Sequence, residues 1–244
     1  MGTTPLDGAA ALVGLDLRVV GPGRLLLDEV SVTASPGRML AVTGSSGSGK
    51  TTLLSVLGGL LRPDSGQVSY AGGPVGTRHG EPRAGTALVL QTYGLVPSLT
   101  AEENVSVALR ARGVGPRDAV SRSTATLDRL GVGDLVDRLI SELSGGQLQR
   151  VAVSRALAVE PEVLLADEPT SELDETNRDR VVAELRAEAD RGAVVVVATH
   201  DPDVAAACDD ELHLVDGRVE GLPAGVPVEV IPGHEHDPFR RPGS

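Results

Sequence analysis

Apolar and polar positions alternate loosely over residues 15–20, 25–27 and 30–34, the period-two pattern of short strands with one buried face, and Gly21-Pro22-Gly23 interrupts them. Residues 39–43 form a continuous apolar run, as expected of a strand buried on both faces, and lead directly into a glycine-rich segment. From Lys50 the period changes: Leu53, Leu54, Leu57, Leu60 and Leu61 recur at helical spacing, predicting a helix over 50–61 that Arg62-Pro63 ends. Residues 71–85, rich in Gly and Pro, read as a loop, and 88–90 as a further strand.

Residues 100–141 read mostly as helix, opened by a Thr100/Glu103 capping-box pattern and broken by Gly113-Val114-Gly115-Pro116. Strand and helix then alternate: helix over 145–159, strand over 163–166, helix over 175–191, and a β-branched strand over 194–199. Such alternation predicts an α/β fold, a parallel sheet with helices on its faces, into which a helical block is inserted. No long repeat is present. The segment from Leu222 onward has many Pro and Gly residues and little periodicity, and residues 1–11 and 222–244 are expected to be tails around one folded unit at 12–221.

Composition narrows the function. Hydrophobic residues make up 41% and charged residues 23% of the 244, enough apolar material for a sizeable core. Only Tyr70, Tyr93 and Phe239 are aromatic and the formal net charge is -12, which argues against a nucleic-acid partner, whose binding calls for basic faces and stacking rings. Cys208 is the single cysteine, so no internal disulfide can form; without an evident base partner it reads as structural. No apolar run approaches the roughly 18 residues needed to span a bilayer, and the first residues carry acids rather than a basic leader. A cytoplasmic protein is expected, whose membrane role would run through a partner.

Three motifs carry chemistry. Gly44-Ser45-Ser46-Gly47-Ser48-Gly49-Lys50-Thr51-Thr52 fits a Walker A phosphate loop: glycines let backbone N–H groups curl around phosphate oxygens, and the following helix aims its positive end at them. Lys50, the only lysine of the chain, would neutralise the β- and γ-phosphates, and the Thr51 hydroxyl would hold Mg²⁺. Residues 163–168, Val-Leu-Leu-Ala-Asp-Glu, look like Walker B, an apolar strand ending in two carboxylates: Asp167 for Mg²⁺ and Glu168 to orient the attacking water. In Leu143-Ser144-Gly145-Gly146-Gln147, a Ser N-cap and two glycines expose N–H groups at a second helix N-terminus, a second phosphate site in one chain.

That last motif resembles the signature of the ATP-binding cassette (ABC) family, and further motifs follow in the family's order over residues 12–220. Gln91 matches the family's glutamine loop, which contacts Mg²⁺ and the water; Ser171-Glu172-Leu173-Asp174 resembles its D-loop at a dimer seam; His200 matches its switch histidine. The resemblance implies a RecA-like P-loop NTPase core with a small antiparallel β subdomain and an inserted α-helical subdomain at about 91–160. It also implies ATP and Mg²⁺ as cofactors, a head-to-tail dimer in which each signature, Ser144 to Gln147, faces the other subunit's γ-phosphate, and a membrane permease as partner. Residues 95–105 look most like the lipoprotein-releasing, macrolide-exporting and cell-division group. Solute transport and mechanical signalling across a membrane both fit that group. A soluble, non-transport ABC ATPase usually needs coiled coils, zinc-binding cysteines or fused cassettes, none of which this sequence has.

Two departures stand out. The family usually stacks adenine on an aromatic residue just upstream of the phosphate loop; here the slot falls near Val20-Gly21, and no aromatic residue precedes Tyr70. Weaker ATP affinity and poor ATP/GTP discrimination are expected, with Arg18 or Arg24 as substitutes for the ring. Leu148 stands where glutamine is commoner. His234 and His236, in the Pro/Gly-rich end, and the acidic run Asp209-Asp210-Glu211 are expected to be solvated.

Overall fold

The computed structural model describes residues 10–75 and 83–220. In chain order the elements are β1 (Leu12–Gly21), β2 (Arg24–Ala34), β3 (Met39–Thr43), α1 (Lys50–Leu57), β4 (Ser65–Tyr70), β5 (Gly73–Pro74), β6 (Thr86–Val89), α2 (Ala101–Ala111), α3 (Pro116–Arg129), α4 (Gly145–Ala158), β7 (Val163–Asp167), α5 (Glu175–Asp190), β8 (Val194–Ala198), α6 (Pro202–Ala206), β9 (Asp210–Val215) and β10 (Arg218–Val219). The expected tails and His234 and His236 lie wholly or mostly outside the described residues.

Two sheets organise them. A six-stranded sheet in the order β10-β9-β3-β8-β7-β6 is parallel except for β10, and an antiparallel sheet runs β2-β1-β4-β5. In β3, β7 and β8 every residue is buried, which explains their unbroken apolar runs. One core cluster fills the space between the antiparallel sheet, α1 and one face of the parallel sheet; another joins the opposite face to α2, α3, α4 and α5. The fold is α/β, as the alternation of strands and helices implied, and of the P-loop type that the family resemblance implied.

Three local expectations are corrected, and the structure adds one strand on which the sequence reading was silent. Residues 25–27 and 30–34 belong to one strand, β2, paired along its length with β1, with Glu29 at φ +54 absorbing an irregularity. The helix from Lys50 stops at Leu57 rather than Leu61, because Gly58 and Gly59 follow and Gly59 takes a positive φ; Leu60 and Leu61 are exposed. The segment Ser-Gly-Gln-Val-Ser-Tyr at 65–70 is strand β4, held by pairing with β1 despite its polar composition. Asp209-Asp210-Glu211 is not a solvated face: Asp210 is buried at the start of β9, where Arg38 holds its carboxylate with two hydrogen bonds of 2.7 and 2.5 Å. Asp209 accepts the Met39 N–H and a bond from Arg186, each at 2.7 Å.

The Thr100 capping box is formed as its spacing implied, with Glu103 N–H donating to Thr100 Oγ1 at 3.2 Å and Thr100 N–H to Glu103 Oε2 at 2.9 Å. Burial pushes the Cys208 thiol up to about 12, so it stays protonated and donates to the Val204 carbonyl.

Candidate active site

The phosphate-loop residues lie where β3 gives way to α1, at the carboxyl edge of the parallel sheet. Gly49 adopts φ +112, and a Cβ there would come within 2.8 Å of the Leu26 carbonyl oxygen, so this turn admits only glycine. α1 is anchored by Leu53, Leu54, Val56 and Leu57, each contributing about 1.5–3 kcal/mol by burial, which fixes where the loop's N–H groups point. A cleft of about 550 Å³ opens there, lined by Ser46, Gly47 and Gly49 to Thr52 of the phosphate loop together with Gln91, Asp167, Glu168, Ser171 and His200. Residues more than a hundred positions apart in sequence are thus gathered at one site.

Its charges are arranged with care for sign. Lys50 Nζ donates to the Gly44 and Ser45 carbonyls at 2.8 and 3.2 Å and lies 3.9 Å from Glu168 Oε1, with both side chains buried. His200 Nδ1 is 2.9 Å from the same Glu168 oxygen, while its ring is largely exposed. Glu168 has φ +50, an uncommon conformation for a side chain of its size and of the kind concentrated at functional sites. Burial raises the Asp167 carboxyl above its usual range, and the Glu168 charge adds to this, while a hydrogen bond from Thr51 and the charge of Lys50 oppose it. Asp167 Oδ1 is buried without a hydrogen-bond partner. A buried, unpaired carboxylate oxygen beside a threonine hydroxyl suits a hard divalent cation.

The signature residues are elsewhere. Ser144 is the N-cap of α4, and its N–H donates to Gln147 Oε1 at 2.9 Å. Ser144, Gly145, Gly146 and Gln147 are not among the residues lining the cleft. Gly145 and Gly146 pack instead beside Glu172 and Leu173: a Cβ on Gly146 would come within 2.7 Å of the Glu172 carbonyl oxygen.

With this geometry established, comparison with known proteins identifies the family. Residues 27–171 match the family model described as ABC transporter. The chain belongs to the ABC transporter family, as an ATP-binding cassette ATPase. It is 42% identical over 198 residues to an uncharacterized ABC transporter ATP-binding protein of Mycobacterium bovis, covering 79% of this chain and 60% of that protein. It is 39% identical over 199 residues to a macrolide export ATP-binding/permease protein MacB of Yersinia pestis, covering 80% of this chain and 31% of the relative. The chain therefore spans less than two thirds of these relatives' length. Among solved structures, the dimeric, post-hydrolysis ATP-binding cassette MJ0796 bound to ADP and Pi aligns with a TM-score of 0.78 and 29% identity, covering 86% of this chain and 96% of that one.

In the cassette, two further residues shape the site that motif reading did not single out. Arg155 on α4 donates to the carbonyls of Tyr93 and Gly94 at 2.7 and 2.6 Å, so the loop after Gln91 is tied to the helix that begins at the signature. Gln149, buried on the same helix, donates to the Glu168 carbonyl at 2.6 Å. Their partners are distant in sequence, and a lone Arg or Gln on a helix gives no local sign of them. Of the two arginines considered for the nucleobase, Arg24 lines the cleft beside Leu26, whereas Arg18 lies 4.0 Å from Asp28. Val20, in the slot where the family carries its aromatic, is 58% exposed.

Proposed function

We propose that two copies of this cassette close head-to-tail around two molecules of MgATP and that their closure and reopening drive a membrane permease carried on a separate chain. The observation that carries this reading is the separation just described. The cleft gathers Lys50, Gln91, Asp167, Glu168 and His200 but none of Ser144 to Gln147, whose helix N-terminus is itself suited to phosphate. A second subunit gives that helix terminus its phosphate.

In this reading the N–H groups of the Gly44 to Thr52 loop and the Lys50 ammonium bind the β- and γ-phosphates. Thr51, Gln91 and Asp167 would hold Mg²⁺, which neutralises charge on the phosphate oxygens. Glu168 orients the attacking water, and His200 steadies Glu168 and reaches the γ-phosphate from its exposed position. Closure excludes water and completes each site; loss of the γ-phosphate weakens the seam and reopens the dimer.

Among the described residues no helix is long and apolar enough to cross a membrane. The proposed location is the cytoplasmic face of a membrane, with the permease docking near Tyr93 to Pro97, where Leu90 and Val96 are exposed. The similarity to macrolide exporters supports transport as the output, and mechanical signalling would use the same motion.

The test is Ser144→Arg. ATP affinity of the single chain should stay within about threefold of wild type while kcat falls about 100-fold, the cost typical of losing a phosphate-stabilising group. Parallel loss of affinity would instead place the signature's action within its own chain.

A further inference from the structure

The helix that starts at the signature does more than present its N-terminus. Gln149, one turn in, is almost fully buried and uses both ends of its amide. Its Nε2 donates to the Glu168 carbonyl at 2.6 Å and to Ser171 Oγ at 3.3 Å, and its Oε1 accepts the Glu172 N–H at 2.9 Å. Ser171 Oγ in turn donates to the same Glu168 carbonyl at 3.2 Å. On its other side, Glu168 N–H donates to the Ala198 carbonyl at 2.9 Å, at the end of β8 and two residues before His200. The peptide units flanking Glu168 are thus held from two directions: by the sheet on one side and by Gln149 on the other. Between them Glu168 keeps its positive φ.

We propose that Gln149 is a positioning residue that ties the signature helix to the backbone of Glu168 and to the Ser171–Glu172 segment, so that contact made by one subunit's signature with nucleotide across the seam sets the aim of the carboxylate in that subunit's own cleft. The proposal rests on the reading of Glu168 as the residue that orients water. Its physical basis is the rigidity of the linkage. A buried amide with both ends bonded cannot let one partner move without losing a bond to another, and a lost bond in a buried setting is costly. A shift of α4 when the signature engages phosphate therefore reaches the Glu168 peptide directly. Gln149 has no hydrogen bond to the phosphate loop among those of the described residues, so it is placed to affect hydrolysis without affecting the hold on nucleotide.

The experiment compares Gln149→Leu, Glu168→Gln and wild type by equilibrium ATP binding and steady-state hydrolysis, well below each variant's Tm. For Gln149→Leu, kcat should fall about tenfold to 100-fold, since misplacing a reacting group by about 1 Å costs on that order, with the ATP Kd within about threefold. A role confined to stability would lower Tm and leave kcat unchanged; that result overturns the proposal, as does a loss confined to affinity. If Gln149→Leu does not fold, Gln149→Glu, which retains the shape and the acceptor for Glu172 but not the donor to Glu168, carries the same expectation. Glu168→Gln separates the two claims. If it hydrolyses ATP normally, the reading of Glu168 fails; if it is inactive while Gln149→Leu is fully active, only the role of Gln149 fails.

Discussion

His200 Nδ1 lies 2.9 Å from Glu168 Oε1, joining the end of β8 to the end of β7 through two side chains at the mouth of one cleft. The carboxylate is buried and the ring exposed, so the histidine is the half of the pair free to follow a substrate. Replacing His200 by Ala should lower kcat about 100-fold, comparable to removing a single electrostatic stabiliser, and leave ATP binding close to wild type. Parallel titrations of binding and turnover check this.

Burial of Asp167 makes the site's stability depend on pH. Its folded-state affinity for protons is raised by burial, so the metal-free protein is penalised for ionising it. The penalty is absent below the unfolded carboxylate range, grows as pH rises through the interval up to the raised folded value, and persists above it. Asp167→Asn should therefore raise Tm at neutral pH, with an advantage that shrinks on acidification, while hydrolysis is lost. Thermal melts from pH 4 to pH 8 without Mg²⁺ check the sign.

Nucleotide selectivity follows from the missing ring. Val20 cannot stack on a base, and Arg24 is the cation lining the cleft nearby. ATP and GTP should bind within about tenfold of each other, and Arg24→Ala should weaken both by about 1–2 kcal/mol, the range of a partly desolvated cation–π contact. Val20→Tyr should tighten binding of both nucleotides, since base stacking on a ring contributes about 1–3 kcal/mol and every base offers a face to stack. Isothermal titration of both nucleotides against the three proteins decides between these outcomes.

Much of the site was legible because its motifs are local. The phosphate loop, the paired Asp167 and Glu168 and the Thr100 cap each need only neighbouring residues, and the structure places them as the spacing implied. Legibility failed where a partner is remote. β9 buries alternate residues Asp210, Leu212 and Leu214, but an aspartate at a buried position breaks the apolar period, and its partner, Arg38, lies 172 residues away. Gln149 and Arg155 were silent for the same reason, and β4 is a strand because β1 pairs with it rather than through its own residues.

The Arg38–Asp210 pair offers a test of that explanation. Arg38 is partly exposed, which screens the interaction, so Asp210→Ala should cost about 1–2 kcal/mol, below the upper range for a charge-assisted bond. Urea denaturation should show this loss, whereas a neutral result would mean that β9 is held by its leucines alone.

The central claim, a site completed across two subunits, is tested most directly by Glu168→Gln with MgATP under light-scattering detection after gel filtration. Binding without hydrolysis should hold the closed state, giving a species of about twice the 25.1 kDa chain mass that reverts to monomer without nucleotide. A Glu168→Gln protein that binds ATP yet stays monomeric at every concentration, or hydrolyses ATP at the wild-type rate, would contradict it.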